Sequence, residues 1–230
     1  MLYTEQNVKD NIRNREGKRV FFLGKGDTLT PGARDYLSRQ RIPVLSGEDA
    51  RIETYKLLGG GFLREKPEYM THLYGDVLVQ KSHPRIAFRG AVDALEAELM
   101  LCQLKCESFR GELGEILALA RRLIPCDVLN EPVPEGKLCG LCEAEIRHHS
   151  HFPQEHYGQP HFMPEYTDGE AVLWLNRARY AARAAELAAV HAFVDGEGKP
   201  FREDILKAMN RMSSMLYILM IRAKKLTMEN

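Results

Sequence analysis

The rhythm of apolar and polar positions changes part-way along the chain. In the first fifty residues apolar side chains come in short runs. Arg19-Val20-Phe21-Phe22-Leu23 reads as a strand and Ile42-Pro43-Val44-Leu45 as a second short one. Between them Gly24-Lys25-Gly26-Asp27 turns the chain. Thr30 then serves as N-cap and Pro31 as the first residue of a helix reaching about Arg39. Gly59-Gly60-Gly61 marks a flexible break before the next piece.

From Pro84 onward the spacing is helical. Behind a cap at Ser82-His83-Pro84, the residues Ile86, Leu95, Leu99, Cys102 and Cys106 recur on one face. Such a helix would be about 35 Å long. A second helix covers Gly111 to Leu123 and is expected to stop at Pro125. Leu129 to Pro134 is a loop, Leu138 to His149 a short helix, and the His- and Pro-rich Ser150 to Pro164 irregular. Asp168 starts a long helix to about Phe193, and Arg202 to Lys225 forms the last one. Its inward stripe is Ile205, Met209, Met212, Leu216, Leu219 and Met220. The expected fold is mainly α: an up-and-down helical bundle of about five helices over residues 71–230, with a small mixed α/β N-terminal appendage over 1–70.

Composition narrows the function classes. Lys+Arg and Asp+Glu balance at 32 each, so no global field draws nucleic acid or a membrane surface. An anionic ligand must be held by locally placed cations. Five cysteines and a polar, acid-bearing start from Met1 to Asp10 fit reduced thiols in a cytoplasmic protein. The apolar stretch Met215 to Ile221 is too short to span a bilayer.

Two segments carry candidate chemistry. The Gly169–Phe193 helix is apolar nearly all round and rich in alanine, yet Arg179, Arg183 and Glu186 are set into it at i, i+4 and i+7. A buried charge needs a partner, so this stripe is either a paired functional set or a polar edge facing solvent. Asp93, inside the apolar 86–99 helix, is the best counter-charge for Arg183. Separately, Cys139-Gly140-Leu141-Cys142 followed by His148, His149 and His151 has spacing compatible with zinc. The alternative there is two buried thiols and a polar helix end, and no metal ligand is assigned.

Lys81-Ser82-His83-Pro84-Arg85-Ile86-Ala87-Phe88-Arg89-Gly90-Ala91-Val92-Asp93 resembles the signature of the cobalamin adenosyltransferase superfamily on its first bundle helix. Ala178-Arg179 with Arg183 and Glu186 is similar to its arginine-rich segment, and Met209-Asn210-Arg211-Met212-Ser213 to its Leu-Asn-Arg-Leu-Ser. Leu29-Thr30-Pro31-Gly32-Ala33-Arg34, Leu129-Asn130-Glu131-Pro132 and Ser150-His151-Phe152-Pro153 look closer to the ethanolamine-utilisation type than to the propanediol-utilisation type. The likeness runs from Leu29 to Arg222 and is weakest between Ser46 and Glu68. The chain also departs from the pattern. The Gly-rich ATP loop is missing, Ala184 and Ala94 stand where arginine and glutamate are frequent, and no cysteine precedes Cys102.

The resemblance implies transfer of the 5′-deoxyadenosyl group of ATP to the cobalt of a corrinoid. By it, Lys81, Arg183, Glu186 and Asn210 contact ATP with Mg²⁺ on the phosphates, and Asp93 and Arg183 are catalytic. His161, three residues before Pro164, stands near the corrin without binding cobalt, next to Phe162 as a possible apolar wedge. It further implies a homo-oligomer, a trimer with a dimer left open. A flavin-type reductase or a bacterial microcompartment is a candidate partner. Two other readings stay open: a non-catalytic corrinoid- or nucleotide-binding relative, and a metal-binding helical protein using Cys139–His151.

Overall fold

The structure, a computed structural model, describes residues 1–15, 18–24, 26–46 and 55–229. Its contacts divide the chain into two compact units: Met1–Met70 with Asp76–Leu78, and Thr71–Gly75 with Val79–Asn230.

The first unit is mixed. Strand β1 (Leu2–Tyr3) precedes helix α1 (Glu5–Asp10); β2 (Ile12–Arg15), β3 (Lys18–Leu23) and β4 (Thr28–Leu29) follow, then α2 (Pro31–Arg39) and β5 (Val44–Ser46). β1 pairs parallel with β4, while β3 pairs antiparallel with β2 and parallel with β5. The expected strand, the Thr30 cap and the Pro31 start are all present, with Thr30 Oγ1 accepting from the Ala33 amide at 3.3 Å. Lys25 of the expected turn lies outside the described residues. Val8, Phe21, Leu29, Ala33, Leu37 and Ile42 make the core. The glycine triplet is not a boundary. It turns β6 (Tyr55–Leu57) into β7 (Phe62–Leu63), with positive φ at Gly60 and Gly61 and the Leu57 amide donating to the Gly61 carbonyl at 3.0 Å. Two more strands, β8 (Met70–Tyr74) and β9 (Val77–Gln80), follow.

The second unit is a bundle of four long helices and two short ones: α3 (Pro84–Lys105), α4 (Arg110–Leu129), α5 (Glu143–His151), α6 (Pro153–Tyr157), α7 (Glu170–Phe193) and α8 (Glu203–Glu229). With α1 and α2 of the first unit that makes eight α-helices among the described residues; the bundle itself has six where about five were expected, and α6 forms in a stretch expected to be irregular. α7 packs on both α3 and α8 because its buried face is small: Ala178, Ala182, Ala185, Ala189 and Ala192 let both neighbours approach. α8 is the most buried helix, with Met209, Met212, Leu216, Leu219 and Met220 fully inside. No helix among the described residues is long and apolar enough to cross a membrane.

Two boundaries differ from the sequence expectation. α4 does not stop at Pro125 but carries it inside, ending at Asn130, five residues on, in the left-handed conformation (φ 54°). The proline removes one helical hydrogen bond, and tertiary bonds to Asp127 hold the turn beyond it. α5 starts at Glu143 rather than Leu138, because Leu138 and Leu141 close a tight turn with positive φ at Cys139 and Gly140.

Asp127 is the hub of that last turn. It is fully buried and takes two arginines from the start of α3. Arg85 Nε donates to Oδ1 at 2.8 Å and Arg89 Nε to Oδ2 at 2.8 Å. Arg85 Nη2 also reaches the Asp127 carbonyl, and Arg89 Nη2 the Leu73 carbonyl. One carboxylate therefore sets where α3 begins relative to α4. Replacing Asp127 with Ala leaves two guanidinium groups facing each other without their counter-ion, which costs about 3–5 kcal/mol. Urea denaturation of D127A is expected to show that loss; a change below about 1 kcal/mol contradicts it.

Candidate functional site

Antiparallel packing of α7 on α8 makes two polar contacts, seven residues apart on each helix. Asn210 Nδ2 donates to Glu186 Oε1 at 2.7 Å. Two turns away the Arg179 guanidinium lies over the Tyr217 ring, 4.8 Å from its centroid. Arg211 Nη2 donates to Asn210 Oδ1, and Arg211 Nη1 reaches the Glu143 carbonyl of α5 at 3.4 Å. The Glu186 carboxylate, the Asn210 amide and the Arg211 guanidinium thus form one chain of bonds.

Two donors in this seam are unsatisfied. Arg179 Nε and Arg211 Nε are buried and have no hydrogen-bond partner. An unmet buried donor costs about 1–3 kcal/mol, more when charged, so each is a place where an anion would be stabilised. Arg179 is further disfavoured as a cation by burial first and then by the charge of Arg183, with Tyr217 opposing. A cavity of about 800 Å³ opens beside Arg211, between the 132–138 loop, the start of α5 and the start of α8.

Tyr217 links this seam to the segment before α7. Its hydroxyl meets His161 Nδ1 at 2.8 Å, while His161 Nε2 lies 3.1 Å from the His151 carbonyl. A carbonyl only accepts, so Nε2 carries the proton and Nδ1 accepts from the Tyr217 hydroxyl. Both ring nitrogens are engaged. Phe162 is half-buried against the core, and the Lys224 ammonium sits 4.2 Å from its ring centroid.

The expected residues therefore fall into two groups. Glu186, Asn210, His161 and Phe162 stand in or beside the α7–α8 seam. Lys81, Asp93 and Arg183 are exposed, Lys81 in the turn before α3 and the other two on α3 and α7. Among the described residues no ion pair joins Asp93 to Arg183. Of the stripe Arg179–Arg183–Glu186, the first and last meet α8, while Arg183 between them is exposed. Tyr217 escaped the sequence reading; its only signal was its place seven residues after Asn210, on the same face of α8.

The proposed Cys139–His151 metal set is also divided. The Cys139 thiol donates to the Glu112 carbonyl at 3.5 Å and burial pushes its pKa up to about 12. Cys142 occupies the N-cap of α5. Neither joins the histidines.

A family model for cobalamin adenosyltransferase matches residues 62–223. The chain belongs to the cobalamin adenosyltransferase family. Within that family it is 34% identical to the corrinoid adenosyltransferase EutT of Salmonella typhimurium, covering 95% of this chain and 90% of that protein. It is 32% identical to EutT of Escherichia coli over the same shares. Two solved structures share the fold. A phenylalanine-to-alanine variant of a PduO-type ATP:corrinoid adenosyltransferase from Lactobacillus reuteri, complexed with cobalamin and ATP, superposes with TM-score 0.52. It is 20% identical, covering 70% of this chain and 91% of that one. An arginine-to-lysine variant complexed with ATP gives 0.50 at 18% identity, over 70% and 92%.

The start of α3 is held by His83, whose Nδ1 accepts from the Arg85 amide at 3.2 Å as the N-cap. Burial, then Arg85 and Arg89, lower its pKa below the ordinary 6.5, with Asp127 opposing. The folded chain thus takes this proton less readily than the unfolded one. The resulting stability is complete above about pH 6.5 and is lost as pH falls through the lowered folded value. Melting temperatures taken from about pH 7 down to about pH 5 are expected to fall less steeply in H83N, which caps without titrating. An identical slope in both proteins contradicts this.

Proposed function

We propose that the protein is an enzyme that transfers the 5′-deoxyadenosyl group of ATP to the cobalt of a reduced corrinoid, in ethanolamine utilisation. The observation that carries the site assignment is the pair of buried, unpartnered guanidinium N–H groups of Arg179 and Arg211, flanking a seam that already holds Glu186 and Asn210. Co(I) supplies an electron pair to C5′, the C5′–O bond breaks, and the pair leaves on the polyphosphate. Negative charge grows on that leaving group, so preset cations lower the barrier. Arg179 and Arg211 bind it from the seam, and Lys81 and Arg183 from the exposed faces. Asn210 keeps a second amide N–H for a phosphate oxygen while Glu186 fixes its orientation.

Mg²⁺ comes with ATP as its complex. The residues fit it, since Glu186 Oε2 has no bond among the described residues and is a hard oxygen donor. His161 stands near the corrin without ligating cobalt, because both of its nitrogens are committed to Tyr217 and His151. A fifth ligand would make Co(I) harder to reach, so an imidazole kept away from the metal serves the reaction. Phe162 offers its ring edge on the same segment.

Among the described residues Asp93 and Arg183 have no counter-ion, and their helices also expose Leu101, Leu104, Leu173, Tyr180 and Leu187. We read this face as one that a second copy covers, closing carboxylate–guanidinium pairs between copies, in a trimer. The reaction takes place in the cytoplasm or a microcompartment there, with a flavin-type reductase supplying electrons.

Mixed anaerobically with Mg-ATP and chemically reduced cobalamin, the protein is expected to develop the absorption spectrum of adenosylcobalamin. No product at saturating substrates refutes the assignment. R183A is expected to lose at least about a hundredfold in kcat, the scale for removing one donor to a developing oxyanion. Since Arg183 is exposed, helical circular dichroism should be kept. Unchanged turnover removes Arg183 from the site.

A further inference from the structure

The α5–α6 pair holds a cluster that adenosyl transfer does not use. His148 stands on α5 and His156 on α6, eight residues apart. On an unbroken helix they would lie about 12 Å from each other along the axis. Instead α5 ends at Phe152, the buried Pro153 opens α6, and the chain folds back. His148 Nδ1 and His156 Nε2 come to 2.8 Å. Glu155 completes the group: one ligand atom from each of His148, Glu155 and His156 lies within 4.8 Å of the others, and all three side chains are exposed.

Their rings are held in place rather than loose. His148 leans on Phe152 with centroids 4.8 Å apart. His156 stacks on His149 at 3.6 Å, and His149 Nδ1 is fixed by the Tyr157 hydroxyl at 2.8 Å. Tyr157 in turn packs against the bundle core. A scaffold of this kind orients ligand rings before an ion arrives.

The spacing suits a transition ion. With metal–nitrogen bonds of about 2.0–2.1 Å, two imidazole nitrogens at a right angle lie about 2.9 Å apart, and at a tetrahedral angle about 3.4 Å. The observed separation needs only a small opening of the rings to reach the first value. Two imidazoles and one carboxylate favour zinc, nickel, copper or iron over magnesium or calcium. Both cysteines of the neighbouring segment are committed elsewhere: Cys139 to the Glu112 carbonyl and Cys142 to the cap of α5.

We propose that His148, His156 and Glu155 bind one divalent first-row transition ion, with its remaining positions open to water. The ion ties α5 to α6. His161 donates to the carbonyl of His151, at the end of the same α5, so the clip steadies the segment that carries His161. This site is separate from any Mg²⁺ on ATP, and it stands whether or not the adenosyl-transfer reading does.

The test uses the full chain, stripped of metal and freed of any polyhistidine tag. Zn²⁺ is titrated in competition with a chromophoric chelator, and Co²⁺ is followed by its visible absorption. One equivalent should bind. H148A and H156A should each weaken binding at least about tenfold, the lower end of what lost metal-site partners cost, and E155Q should change the Co²⁺ spectrum. C139S and C142S should bind as the parent does. Zn²⁺ should raise the Tm of the parent and not that of the H148A/H156A double variant, whose circular dichroism reports that it is folded. Absence of stoichiometric binding, binding kept in the double variant, or binding lost in the cysteine variants overturns the proposal.

Discussion

The register of α7 against α8 is the constraint on which the rest depends. Alanines on α7 bring the two backbones close enough for side chains one heptad apart to meet in pairs, Arg179 on Tyr217 and Asn210 on Glu186. Two guanidinium N–H donors in this seam stay buried and unmet. A fold tolerates unmet charged donors at a cost, and sites that bind anions are where that cost has a use. Slipping α8 by one turn would separate all of these groups at once.

A second fixed point holds the frame from the other side. Asp127, near the end of α4, gathers Arg85 and Arg89 and through them the start of α3 and the Leu73 carbonyl. The turn carrying Lys81 enters the helix just ahead of these arginines, capped by His83. The exposed cation at the head of α3 is thus anchored through a buried ionic knot, while the seam cations are anchored through helix packing.

Much of this frame was legible in the sequence. The α3, α7 and α8 spans followed from apolar spacing, and the starts of α2 and α3 from Thr30-Pro31 and Pro84, since those signals are local. Where the outcome was decided by distant contacts, the reading failed. Pro125 looked like a stop, but Asp127 keeps the helix going. Gly59-Gly60-Gly61 looked like a linker, but positive φ at two of them makes a hairpin turn. The site residues were legible as types and motifs, not as partners. Glu186 was matched to no partner, yet its bond is to Asn210. Asp93 and Arg183 looked like a pair, yet both face outward, because a helix period says which residues share a face and not what that face meets. His148 and His156 come together only through the break at Phe152, which no periodicity encodes.

In the proposed reaction the leaving polyphosphate lies against the α7–α8 seam. A crystal structure with Mg-ATP bound tests it most directly. Phosphate oxygens are expected within about 3 Å of Arg179 Nε and Arg211 Nε, with Asn210 still bonded to Glu186. Phosphates bound elsewhere, with both of those donors still unpartnered, would contradict it.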